Sequence, residues 1–254
     1  MEKKYILTEE TKEVGGHILH KIQAVRDFGD VQKGDLGGWI ESEKNLSHDG
    51  DCWISSNGKV FDNGEVSGNG RIFGNSWVYG NGRVFGDGEV SGNGRIFGNG
   101  RVYGNGKVFD NGKVSGNGRI FGNSWVYGNG RVFDNGEVSG NGRISGNGRI
   151  FGDGWVSGDG WVSDDGWVFG NAKIGFNAYI SSPRSYFVQG PIGSRDDFLT
   201  CYLDKDKKIY AVTGCFSGTL EEFEKKVKET HGSNKHAKQY LKAAEAARVM
   251  LSED

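Results

Sequence analysis

From Ile54 to Ile180 an aliphatic residue recurs every six positions, 22 times, always Val or Ile, with no insertion or deletion. The series runs Ile54, Val60, Val66, Ile72, Val78 and onward to Val168, Ile174 and Ile180, and its unit is typified by Gly80-Asn81-Gly82-Arg83-Val84-Phe85. A short fixed period predicts one backbone unit stacked on copies of itself, a solenoid rather than a globule. Strand alternation turns the aliphatic inward together with the Gly, Ser or Ala two positions before it, as at Ser76 and Val78, and turns the residue between them outward. Three positions after each aliphatic stands Asn or Asp, from Asn57 to Asn177. These residues tolerate the left-handed backbone region and are expected to turn the corner. One short strand and one corner per six residues predicts a prism with three faces and 18 residues per coil. Seven coils about 4.8 Å apart make a rod on the order of 35 Å long.

The flanks break the period. Residues 1–53 read as a cap: strands over Lys4–Leu7 and His17–Val25 around a turn at Gly15-Gly16, then one imperfect starter coil marked by Val25, Val31, Ile40 and Leu46. Such a cap protects the strand edges that a solenoid end exposes. Residues 54–182 are the β-helix. Residues 183–254 predict a small ββαα module, with strands over Asp197–Leu203 and Lys208–Phe216. Its first helix opens at the capping box Thr219-Leu220-Glu221-Glu222 and stops near Gly232; its second runs from about Asn234 to Leu251.

Composition sharpens this picture. Glycine is 45 of 254 residues, but its fixed phase beside Val and Ile argues for order where scattered glycine would suggest disorder. The formal charge of −2 gives no bulk attraction to nucleic acid or membranes, and no apolar run approaches a membrane span or a signal peptide. Three cysteines, Cys52, Cys201 and Cys215, at unrelated spacings make neither a disulfide framework nor a metal pattern, as expected of a protein in the reducing cytoplasm of a bacterial cell.

The unit of aliphatic, any, any, Asn or Asp, small, any resembles the hexapeptide-repeat left-handed parallel β-helix proteins. The resemblance implies a mainly β, left-handed, three-faced helix over about half the chain. This chain departs from it in using Gly at most inward small positions, where Ala or Ser is usual. The ends, Lys33-Gly34-Asp35-Leu36-Gly37-Gly38-Trp39-Ile40 and Gly214-Cys215-Phe216-Ser217-Gly218-Thr219-Leu220-Glu221-Glu222-Phe223, resemble a group of such proteins from Gram-positive bacteria and their phages, labelled polymer-forming or acyltransferase. That resemblance implies a phage or prophage origin and brings no defined activity.

Acyltransferases built on this helix use a coil histidine as general base and often an extruded loop. Here the histidines are His17, His20, His48, His231 and His236, none in the coils, and the unbroken period leaves no loop. No catalytic residue, cofactor or metal is therefore expected, and the chain reads as non-enzymatic. The aspartates of Gly152-Asp153-Gly154-Trp155, Gly158-Asp159-Gly160-Trp161 and Asp164-Asp165-Gly166-Trp167 invite a calcium reading. They fall at three different corners, which makes them stand-ins for Asn, and the three tryptophans form a ring with one per face.

One face is chemically distinct. Before its aliphatics stand Lys59, Trp77, Arg95, Lys113, Arg131, Arg149 and Trp167; after them stand Phe61, Tyr79, Phe97, Ser115, Phe133, Phe151 and Phe169. A basic and aromatic stripe can stack bases and neutralise phosphates, or bury itself in a protein contact. A second period of 24 residues, seen at Phe61, Phe85, Phe109 and Phe133, rotates each block copy by one face and spreads these residues round the prism by duplication. The expectation is a rod that presents its end modules and self-associates or meets a protein partner. The alternative is a binder of nucleotides or single-stranded nucleic acid with an anti-defence role, with acyl transfer third.

Overall fold

The computed structural model describes residues 2–252. Strand β1 (Tyr5–Val14) pairs antiparallel with β2 (His17–Ala24), and β2 with β3 (Leu36–Ile40). The first strand is longer than its apolar residues suggest, because Thr11 to Val14 pair on through a register shift after Leu7. Next come 22 two-residue strands, from β4 (Trp53–Ile54) to β25 (Tyr179–Ile180), each an outward residue followed by its aliphatic. Each pairs in parallel with the strand one coil away: Arg95 lies between Trp77 and Lys113, and Ile96 between Val78 and Val114. Partners are thus 18 residues apart. Two faces are sheets of eight and seven such strands; the third has ten, opening with β1, β2 and β3. The chain is a β-solenoid with parallel sheets, and Val25 and Val31 lie outside its starter coil, which begins at Ile40 and Leu46.

The periodic Val and Ile form one continuous core, each no more than 1% exposed. Full burial of such side chains contributes about 1.5–3 kcal/mol apiece against the ordering of the backbone. Backbone amides bond from coil to coil, as from Phe97 N–H to Val114 O at 3.0 Å. The inward glycines answer to this spacing. A Cβ on Gly82 would stand 2.8 Å from the carbonyl oxygen of Ile96, closer than contact permits.

The corners differ from expectation by one residue. The left-handed position is two after the aliphatic, not three: Gly80 and Gly128 have φ of 62° and 60°, and Asp62, Asp110, Asp134 and Asp164 replace glycine there with φ of 48° to 54°. The turn closes from Gly82 N–H to Tyr79 O at 3.1 Å, so Gly80 takes its second place and Asn81 its third. The asparagines are thereby free to bond along the rod. Asn63 donates to Asn81, Asn81 to Asn99, Asn99 to Asn117, and so on to Asp153, at 2.9 to 3.2 Å. Asp159 and Asp165 accept from Asn141 and Asn147 in the same way.

Beyond the shaft stand four strands where two are predicted: β26 (Tyr186–Ile192), β27 (Asp197–Leu203), β28 (Ile209–Thr213) and β29 (Phe216–Thr219), an antiparallel sheet in that order. Gly190-Pro191 inside β26 hides its strand pattern, and a positive φ at Gly214 splits the second predicted strand in two. Helix α1 (Leu220–His231) starts at Thr219, whose hydroxyl accepts from Glu222 N–H while Thr219 N–H donates to the Glu222 carboxylate. Helix α2 (Lys235–Leu251) starts at Asn234. Leu199, Cys201, Ala211, Leu220, Phe223 and Ala244 share its core, while Tyr202 reaches into that of the shaft. Among the described residues no helix is long and apolar enough to cross a membrane.

Candidate functional site

Parallel pairing brings the outward residues of the basic and aromatic face onto one sheet: Lys59, Trp77, Arg95, Lys113, Arg131, Arg149 and Trp167 lie side by side on successive strands. The two members nearest the N-terminus are not open to a ligand. Lys59 and Phe61 are 6% and 5% exposed: Phe61 packs with Leu19 of β2 and Trp39 of β3, and Lys59 lies beside Trp39 on the adjoining strand. Burial lowers the Lys59 pKa, and its ammonium donates to Asn57 O at 2.9 Å.

The remaining rings are engaged with one another. Phe61, Tyr79 and Phe97 stack with centroids 5.2 Å apart and planes within 7°. After Ser115 the stack resumes with Phe133, Phe151 and Phe169 at 5.2 and 5.5 Å. The tryptophans take cations: Arg95 lies 5.1 Å above Trp77 and Arg149 5.0 Å above Trp167. A nucleobase stacks on a free ring face; within each stack the faces meet neighbours, while Phe97 and Phe133, on either side of Ser115, each stack on one face only. Arg131 is exposed and Lys113 half-exposed. Stacks also occur at the other corners, Phe85 with Tyr103 and Phe121, and Phe109 with Tyr127. Trp155, Trp161 and Trp167 do ring the late coils, one per sheet.

Residues not assigned a role from sequence converge in the C-terminal module. A cavity of about 390 Å³ is lined by Arg195, Asp197, Cys215, Phe216, Phe223, His231 and Tyr240, among others. Arg195 ends the short 3₁₀ turn Gly193–Arg195, Cys215 sits in the turn between β28 and β29, and His231 closes α1. The guanidinium Nη1 is 3.8 Å from Cys215 Sγ. Asp197 has its pKa lowered, chiefly because Phe198 N–H donates to it, with Lys173 and Gly214 N–H adding to the effect. Burial raises the pKa of Tyr240, whose ring packs against Gly193 so closely that a Cβ there would collide with its hydroxyl. The exposed Cys215 beside a glycine turn is the signal a reader of the sequence has; its meeting with Arg195 and His231 is a product of the fold.

A second cluster lies where the hairpin meets the shaft. His17 Nδ1 is 3.1 Å from Glu41 Oε1, and Nε2 is 3.3 Å from Asp62 Oδ1. The other carboxylate oxygens are held by backbone, Glu41 by Asp62 N–H and Asp62 by Gly80 N–H. The three side chains have ligand atoms within 4.8 Å of one another and are those among the described residues that could hold a metal ion, whereas the corner aspartates are separate. The hydrogen bond to Glu41, with Asp62 adding to it, raises the pKa of His17.

No family model matches the chain. It is 45% identical over 60 residues to an uncharacterised acetyltransferase, YdcK, of Escherichia coli (strain K12). The match covers 23% of this chain and 18% of that protein, so the two share less than a fifth of the relative's length. Together with the solenoid it fits a hexapeptide-repeat β-helix. It also corrects the expectation of a chain without enzymatic activity, since the named relative is described as an acetyltransferase.

Proposed function

We propose that the chain is a β-helical rod that presents modules at its two ends and self-associates through the aromatic residues around its last coils. The observation that carries this reading is the distribution of free apolar surface. Trp125 in mid-shaft is 38% exposed, and four further aromatics, Trp155, Trp167, Phe169 and Phe176, are 37% to 53% exposed towards the C-terminal end, although Phe169 stacks on Phe151 with one face. Large exposed apolar residues concentrated at one end of a shaft, here on more than one face, are suited to protein contacts. A phage or prophage origin, implied by the resemblance of the end segments, and a bacterial cytoplasmic setting, suggested by three cysteines without a disulfide framework, belong to this reading. Sedimentation velocity over a concentration series tests it. The parent should associate and the triple change Trp155→Ser, Trp167→Ser and Phe169→Ser should restore a monomer; a parent that stays monomeric throughout sinks the reading.

A second reading, acetyl transfer, is favoured by the match to an acetyltransferase and by the C-terminal cavity. There His231 would take the proton of an acceptor nucleophile as it attacks the thioester carbonyl, and the coenzyme would leave as its thiolate. Thiol release from acetyl-coenzyme A that vanishes in His231→Ala supports it. Release unchanged by that substitution, or absent from the parent, removes it.

A further inference from the structure

The C-terminal cavity has a composition that defines a ligand class. Its floor and walls are apolar: Phe216 and Phe223 lie 5.4 Å apart, and Tyr240 meets Phe223 edge-on at 5.7 Å. Its charged groups are two cations, Arg195 and Lys226, against a single acid, Asp197, with His231 also in the lining. That carboxylate is already engaged, accepting from Gly214 N–H at 3.1 Å and from Phe198 N–H at 2.8 Å and facing Lys173 at 3.6 Å. Lys226 is paired loosely with Glu229 at 3.7 Å.

Arg195 is different. Among the described residues no carboxylate lies within ion-pairing distance of its guanidinium, and its recorded polar neighbour is the Cys215 sulfur. His231 has ring contacts to His236 and Tyr240 at 6.0 and 5.8 Å, and among the described residues neither ring nitrogen has a hydrogen-bond partner. A guanidinium with no acid to pair with is a planar fork of donors suited to a carboxylate or phosphate. A cavity of about 390 Å³ is within the range of small-molecule sites, which combine apolar walls with a few placed polar groups.

We propose that this cavity binds a small molecule with an aromatic or other apolar body and one oxyanion, carboxylate or phosphate, with Arg195 holding the anion and Phe216, Phe223 and Tyr240 enclosing the body. Cys215 stands beside the anion position, its sulfur 3.8 Å from the Arg195 guanidinium, and His231 is also in the lining. The inference shares its cavity with the acetyl-transfer reading, but the probes below carry no acyl group, so binding and turnover fail independently.

The test is an amide-resolved NMR titration of the full chain with benzoate, phenyl phosphate, inorganic phosphate and the neutral isostere benzamide. Benzoate or phenyl phosphate should shift the amides of Gly214, Cys215, Thr230 and His231, and which of the two is tighter identifies the oxyanion. Benzamide and inorganic phosphate should bind at least about tenfold more weakly, since a hydrogen-bonded anion and an apolar body each contribute on the order of 1.4 kcal/mol or more. Arg195→Gln, at an exposed position, should keep the spectrum of the folded chain and lose the anion preference; Phe216→Ser should weaken every probe with a ring. Equal binding of benzamide and benzoate, shifts that persist in Arg195→Gln, or shifts scattered outside the cavity would each overturn the proposal.

Discussion

Phe85 and Tyr103, one coil apart, stack with centroids 4.9 Å apart and planes within 1° of parallel. Phe121 continues the pile at 5.0 Å. Their separation is set by the interstrand spacing of the sheet beside them, so the backbone register places the rings and the rings in turn resist any slip of the register. Stacked pairs contribute about 0.5–1.5 kcal/mol beyond their area. Tyr103→Ala, which removes two such contacts, should therefore cost at least about 1–3 kcal/mol in urea unfolding, the lost burial of the ring adding to it. Tyr103→Phe should stay close to the parent.

The core makes a second expectation. Ile120 is fully buried between Val102 and Val138. Ile120→Val should cost about 0.5–1.5 kcal/mol and Ile120→Ala about 2–5 kcal/mol, because neighbouring coils cannot close the space without breaking their own hydrogen bonds. The unfolding midpoint in urea reads both. Equal effects would mean that this site collapses freely.

This inward column is the part of the molecule most legible in the sequence, because every Val and Ile serves the same environment and the period repeats the message. The corner is less legible. Gly80-Asn81 contains two residues able to adopt a positive φ, and the pair alone does not say which does so; Asn81's bond to Asn99 is visible only once the coil length places them together. The C-terminal cavity is least legible: Arg195, Cys215 and His231 come from a 3₁₀ turn, a hairpin turn and a helix end, and no spacing relates them. Lys59 and Phe61 are assigned correctly to their face, but their local pattern carries no sign of the hairpin that covers them.

The corner itself is testable at Gly128. Its φ is 60°, and a Cβ would stand 3.1 Å from Gly146 N. One coil earlier Asp110 holds the same place and accepts from Gly128 N–H at 3.2 Å. Gly128→Ala should destabilise by about 1 kcal/mol or more, and Gly128→Asp by less, since Asp tolerates this backbone region. Thermal unfolding of the two variants compares them; an Ala variant as stable as the Asp variant would show that side-chain bonding does not matter at the corner.

The hairpin junction should respond to pH. His17 has a raised folded pKa, chiefly through its hydrogen bond to Glu41 and further through Asp62. A raised value means that the protonated ring stabilises the fold fully below its unfolded pKa of 6.5 and that this contribution is lost as pH rises through the folded value. Hydrogen exchange of the β1 and β2 amides, corrected for intrinsic rates, should show more frequent opening at pH 8 than at pH 6. In His17→Gln that difference should disappear.

The three thiols should separate cleanly by reactivity. Cys52 and Cys201 are buried, and burial pushes the Cys201 thiol up to about 12, whereas Cys215 is exposed. A thiol-specific reagent should modify one group rapidly in the folded chain and the other two only on unfolding. Peptide mapping should place the fast label on Cys215, and Cys215→Ser should abolish it.

The 18-residue coil also makes the rod a dial. Adding or removing 18 residues changes the distance between the end modules by one strand spacing and leaves their mutual heading as it was, while a six-residue change swings one end by a third of a turn. The 24-residue blocks in the chain do both at once, a full coil plus one face. A single block duplication therefore re-aims the C-terminal module, and three in succession bring it back to its first bearing on a longer shaft. Natural length variants of such a chain should consequently fall into three orientation classes, each with its own angle between whatever the two ends hold.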